Sequence, residues 1–122
     1  MIRLVISIGS NKVDGEARVQ AAIEWLRGLL SDCHVSHIYT TTACNGVGVD
    51  YFNAVLSGNY DGELIVIAPL IKRYEVKAGR IADDSKSVAI DIDVVISDDV
   101  VLREWDYNQR YFKIGYAVIN NK

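Results

Sequence analysis

Val88-Ala89-Ile90-Asp91-Ile92-Asp93-Val94-Val95-Ile96 is the stretch on which the fold turns. Apart from its two aspartates it is apolar and mostly β-branched, the composition of a buried strand. Side chains two apart on a strand share a face, so Asp91 and Asp93 project together while Ile90, Ile92 and Val94 project the other way. Two adjacent carboxylates repel each other, and each loses hydration if partly buried. A hard divalent cation such as Mg²⁺ relieves both costs, and it bridges readily to substrate phosphates, which points toward phosphoryl transfer. A plainer reading is that both aspartates line the solvated face of an amphipathic strand, and Asp-x-Asp alone does not choose between the two. Asp83-Asp84 and Asp98-Asp99 read as turn residues.

Working outward, residues 80–87 are polar and form a loop. Before them Leu64, Ile67, Ala68, Ile71, Tyr74 and Ala78 share a helical face, and Gly79 suits the carboxy-terminal cap. Pro69 falls inside this helix and either kinks it or begins it, the kinked form being preferred. Residues 2–8 read as a buried strand ended by Gly9-Ser10-Asn11, and a helix capped by Asp14 covers roughly 15–31. Residues 33–41 alternate as one half-buried strand, 42–49 form a loop, and 51–58 form a further strand. Beyond the Asp-x-Asp strand, 100–102 return as a short hairpin strand and 107–119 form a short helix. Strand-helix-strand-strand-helix-strand is the split βαβ order. It predicts an α+β, ferredoxin-like sandwich, with an antiparallel sheet carrying both helices on one face, as a single domain over 1–122.

Composition narrows the function classes. The chain has 122 residues, half of them hydrophobic, and a formal charge of -3 from 13 basic and 16 acidic side chains. That charge argues against a nonspecific nucleic-acid binder, while leaving room for a nucleotide held by a few local charges and Mg²⁺. No apolar run approaches a membrane span or a secretory signal, so a soluble cytoplasmic protein is expected. Cys33 and Cys44 have no metal spacing and read as reduced thiols. Neither a P-loop nor a Gly-x-Gly-x-x-Gly fingerprint is present. His34 and His37, three apart, face opposite sides of a strand, and no Ser/His/Asp or Cys/His set stands out.

Four segments then occur in a familiar order: Ile8-Gly9-Ser10-Asn11, Asp50-Tyr51-Phe52-Asn53-Ala54, Glu75-Val76-Lys77-Ala78-Gly79-Arg80 and Asp91-Ile92-Asp93-Val94-Val95. Together the set resembles the 6-hydroxymethyl-7,8-dihydropterin pyrophosphokinase family of folate biosynthesis, from residue 2 to about 116. The resemblance implies transfer of a pyrophosphoryl group from ATP to the hydroxymethyl group of the pterin, with release of AMP. It implies that Asp91 and Asp93 hold Mg²⁺, with Asp93 also catalytic. Asn53 would anchor the polar edge of the pterin, Tyr51 and Phe112 would sandwich its ring, and Thr41, Thr42 and Ala43 would add loop contacts. Arg80 and Arg110 would face the ATP phosphates, with Lys72, Glu75, Lys86 and Trp105 near the nucleotide.

The sequence also departs from the family pattern. Family members carry a longer, arginine-rich loop before the Asp-x-Asp, including an arginine where Val88 stands; here Lys86 is the only base over 81–87. Glu104 replaces a family histidine, and the usual carboxy-terminal extension is missing. Metal and pterin features thus survive better than phosphate features. A non-catalytic pterin- or nucleotide-binding relative, and an interaction domain with a decayed site, stand as alternatives.

Overall fold

The computed structural model describes residues 1–42, 50–79 and 89–120. Strand β1 (Ile2–Ser10) leads to helix α1 (Gly15–Leu29), then to β2 (Ser31–Val35), β3 (Tyr39–Thr41) and β4 (Tyr51–Tyr60). Helix α2 (Leu64–Lys77), strands β5 (Asp91–Ser97) and β6 (Val100–Val101), and helices α3 (Glu104–Tyr107) and α4 (Arg110–Asn120) follow. The fold is α+β, a ferredoxin-like split βαβ sandwich. Its antiparallel sheet runs β2-β4-β1-β5-β6, with β3 also on β4.

The register sorts side chains between the two sheet faces. Ile8 lies between Ala54 and Ile92, and Ile6 between Leu56 and Val94. This row packs under α1 and α2, where Val19, Ala22, Ile23, Leu26, Ile67 and Ile71 close the larger core. Both helices occupy that one face, as the split βαβ order requires. On the opposite face Val5, Val55, Val95 and Ile96 meet Phe112 and Ile119 of α4. The last helix thus covers part of the second face. It comes in close at Gly115, where an added Cβ would lie 2.6 Å from both Tyr39 Oη and Val55 Cγ2.

Several local features differ from the sequence reading. The segment 33–41 is two strands rather than one, because the register against β4 slips by one residue between Val35 and Tyr39. Ser36 bridges the slip: its N–H donates to Val55 O, and its hydroxyl oxygen accepts from Val55 N–H, both at 2.9 Å. Of the two placements open for Pro69, the structure has the preferred one, inside α2 and five residues after its start. Its ring nitrogen cannot donate to the carbonyl of Ile65 one turn back, on a residue that is exposed. Asp14 precedes α1 without a side-chain capping bond; its carboxylate pairs instead with Arg18 Nε at 2.8 Å. Asp98 adopts φ 53 in the β5–β6 turn, and Gly79 after α2 has φ 100, the left-handed conformation expected of each. The expected loop residues Ala43 and Cys44, and Arg80, Lys86 and Val88, lie outside the described residues.

Candidate active site

Strand β1 organises the second face as a set of cross-strand rows. Ser7 lies between Val55 and Asp93, and Gly9 lies between Asn53 and Asp91. Val55 and Val95 begin the apolar patch under α4. Toward the other end of the strands the same face becomes polar. Asp91 and Asp93 are both half-buried there, on one face of the strand as their spacing requires.

Their environment is electrostatically tense. Burial, and then the charge of Asp91, push the Asp93 carboxyl up to about 7, with Arg103 opposing them. Two half-buried carboxylates side by side on one strand face are a donor set suited to a divalent oxygen-seeking cation. Among the described residues no third His, Cys, Asp or Glu completes a cage. An ion on these two carboxylates would leave positions open to water or phosphate oxygens.

The two aspartates line a cleft of 620 Å³ between α2, β5 and the segment after β6. Strand β6 pairs with Ile96 and Ser97, so among the described residues β5 has no strand partner on that side at Asp91 to Val94, and the cleft opens along this stretch. Ile71, Lys72, Glu75 and Val76 form one wall, and Leu102 and Arg103 the other. Glu75 is buried, and its Oε2 accepts the Ile92 N–H at 2.8 Å, fastening α2 to the peptide between the aspartates. Lys72, by contrast, is exposed.

The expected pterin residues gather across Gly9. Asn53 is buried, and its Nδ2 donates to Thr41 Oγ1 at 2.7 Å and to Tyr51 O at 3.2 Å. Its Oδ1 lies toward Gly9, 3.3 Å from where a Cβ would stand, with the Tyr51 ring edge 3.6 Å from the same point. Thr42 is exposed just beyond β3. Phe112 is fully buried, stacked on Tyr116 at 5.1 Å between centroids, so its ring is a core element backing the face rather than an open wall.

Of the expected nucleotide residues, Trp105 and Arg110 are both exposed, Trp105 on α3 and Arg110 at the start of α4. Neither lines the cleft beside the aspartates. Arg80 and Lys86 fall outside the described residues. Sequence reading missed Arg103, whose Nε lies 3.7 Å from Asp93 Oδ1 and 2.7 Å from Asp106 Oδ2. Its spacing of three from Asp106 at a helix start was the available signal. The hairpin that folds it back against Asp93 was not readable locally.

Among the described residues no helix is long and apolar enough to cross a membrane. No curated protein matches the chain. A family model described as 7,8-dihydro-6-hydroxymethylpterin-pyrophosphokinase matches residues 5–117, nearly the whole sequence. With a match over that much of its length, the chain belongs to the 7,8-dihydro-6-hydroxymethylpterin-pyrophosphokinase family.

Proposed function

We propose that this protein transfers a pyrophosphoryl group from ATP to the hydroxymethyl oxygen of 6-hydroxymethyl-7,8-dihydropterin, releasing AMP, as a cytoplasmic step of folate biosynthesis. The observation that carries this reading is the row Asn53–Gly9–Asp91. An anchor for a polar heteroaromatic edge and the first metal-type carboxylate sit two strand spacings apart, about 10 Å. Between them stands a residue with no side chain, so a flat ligand can lie on the β1 backbone and reach from one to the other.

In this reading Asn53 Oδ1 accepts a pterin N–H, its amide nitrogen being occupied by Thr41 and Tyr51. Tyr51 supplies an aromatic surface beside Gly9, Phe112 backs the sheet face, and Thr42 borders the entrance. Asp91 and Asp93 hold Mg²⁺, which when bound neutralises phosphate charge and aligns the reacting groups. Lys72 flanks the nucleotide cleft, while Glu75 keeps the aspartate-bearing strand in place. Arg80, Lys86 and Arg110 carry further phosphate charge, and Trp105 lies at the nucleotide side. A bond forms from the pterin oxygen to the β-phosphorus, the hydroxyl proton passing to solvent, as the bond from that phosphorus to the oxygen bridging to the α-phosphorus breaks and AMP leaves with that oxygen.

The test is AMP release from ATP with Mg²⁺, in the presence and absence of hydroxymethyldihydropterin. AMP formed only with the pterin supports transfer. Pterin binding without AMP identifies a non-catalytic relative, and neither binding nor AMP identifies a scaffold with a decayed site.

A further inference from the structure

The cleft beside Asp91 and Asp93 has a built-in cation that neither the sequence resemblance nor the family match assigns. We propose that Arg103 is a phosphate-binding residue of this cleft, held in position by Asp106. The inference rests on the reading of the cleft as a nucleotide polyphosphate site.

Three observations carry it. The first is placement: Arg103 lines the same cleft as Lys72, Asp91 and Asp93, on the wall opposite α2. The second is how it is held. Its Nε donates to Asp106 Oδ2 at 2.7 Å, while among the described residues neither terminal nitrogen has a hydrogen-bond partner. Asp106 is itself buried, and its other oxygen accepts the Tyr111 hydroxyl. The guanidinium is therefore gripped from behind while its terminal N–H groups stay available, and its side chain is 50% exposed. The third is charge. The described residues that line the cleft set two cations, Lys72 and Arg103, beside Glu75, Asp91 and Asp93. A polyphosphate entering beside a metal-loaded aspartate pair would meet in Arg103 a fixed fork, the one arginine among the described lining residues. Arginine suits that task because its paired N–H groups match two phosphate oxygens at once, which a lysine cannot reproduce.

A purely structural role would have Arg103 do nothing but balance the carboxylates around it. Calorimetry with ATP and Mg²⁺, without pterin, separates the two. Arg103→Gln should weaken ATP binding about tenfold or more, the size of a lost charge-assisted hydrogen bond, with pterin affinity unchanged. Arg103→Lys should recover part of the loss. Asp106→Asn should weaken ATP binding in the wild-type background, yet add nothing to Arg103→Gln, since a positioning residue acts only through the group it positions. Equal ATP affinity in wild type and Arg103→Gln would overturn the proposal. So would a parallel loss of pterin affinity, or a wild type that binds neither ATP nor pyrophosphate with Mg²⁺. Pterin-dependent AMP release by the wild type is scored separately. Its absence alongside Arg103-dependent ATP binding would sink the transfer reaction and leave Arg103 as a phosphate ligand.

Discussion

Glu75 Oε2 accepts the backbone N–H of Ile92 at 2.8 Å, so a helix side chain does for this strand what a neighbouring strand does elsewhere in the sheet. The bond falls between Asp91 and Asp93, where β6 does not reach. Glu75→Ala would leave that N–H without its partner, costing about 1–3 kcal/mol. Chemical denaturation should show the loss, and hydrogen exchange should show the Ile92 amide opening faster than those of the β1–β4 ladder. Unchanged Ile92 protection would mean the strand holds its shape without α2.

Asn53 tests the acceptor half of the site independently of phosphate chemistry. Removing its amide leaves a bound heteroaromatic ring with an unmatched polar group, at about 1–3 kcal/mol. Asn53→Ala should weaken hydroxymethyldihydropterin binding roughly tenfold or more by calorimetry. Equal affinity in both proteins would place the pterin elsewhere.

The Asp91–Asp93 pair should trade stability for function. Because the Asp93 carboxyl is pushed up to about 7, its contribution to stability is present at acid pH and lost as pH rises through that value. In metal-free buffer at pH 8, Asp93→Asn should therefore be more stable than wild type, by about 1–2 kcal/mol after solvent screening. The gap should close below about pH 4, where wild-type Asp93 is protonated whether folded or unfolded. The same substitution should abolish Mg²⁺-dependent AMP formation. Denaturant midpoints across pH, paired with the activity assay, check both halves; a variant less stable at pH 8 would remove the repulsion argument.

Much of this was readable in the sequence, for reasons that differ element by element. The strand β5 and the shared face of its aspartates follow from period-two alternation, which no tertiary contact needs to supply. Both large helices showed their apolar faces, and Gly79 marked the end of α2. The break between β2 and β3 was hidden because Ser36 holds it together through Val55, a residue nineteen positions away. Phe112 was placed on a pocket wall by resemblance, whereas helix packing on the second face buries it against Val5, Val55 and Val95. Arg103 carried no signal of its own in the sequence, because Asp93 comes beside it only through the β5–β6 hairpin.

Tyr39 links the short strand β3 to α4, donating its hydroxyl to Tyr111 O and accepting from Gly115 N–H at 3.0 Å. Burial pushes this phenol up to about 12. In the unfolded chain it titrates near 10, so its contribution is complete below about pH 10 and is lost between about 10 and 12. Tyr39→Phe should cost about 1–2 kcal/mol at neutral pH, by stripping two backbone groups of a partner. It should also remove this residue's part of the alkaline loss, as read from denaturant midpoints between pH 9 and 12. An alkaline transition of the same depth in the variant would assign it to other tyrosines.

The position of β1 at the middle of the sheet bears on how the molecule comes into being. Ile8 waits for Ala54 on one side and Ile92 on the other, so the earliest strand of the described chain is flanked by strands made much later. During synthesis β1 and α1 can collapse together, but the sheet cannot close until β5 has emerged. Until then one edge of β1 stays unpaired, an aggregation hazard that slow translation between residues 60 and 90 would prolong. Asn53, Gly9 and Asp91 come from three separated segments, so the row they form comes into existence only in that final closure.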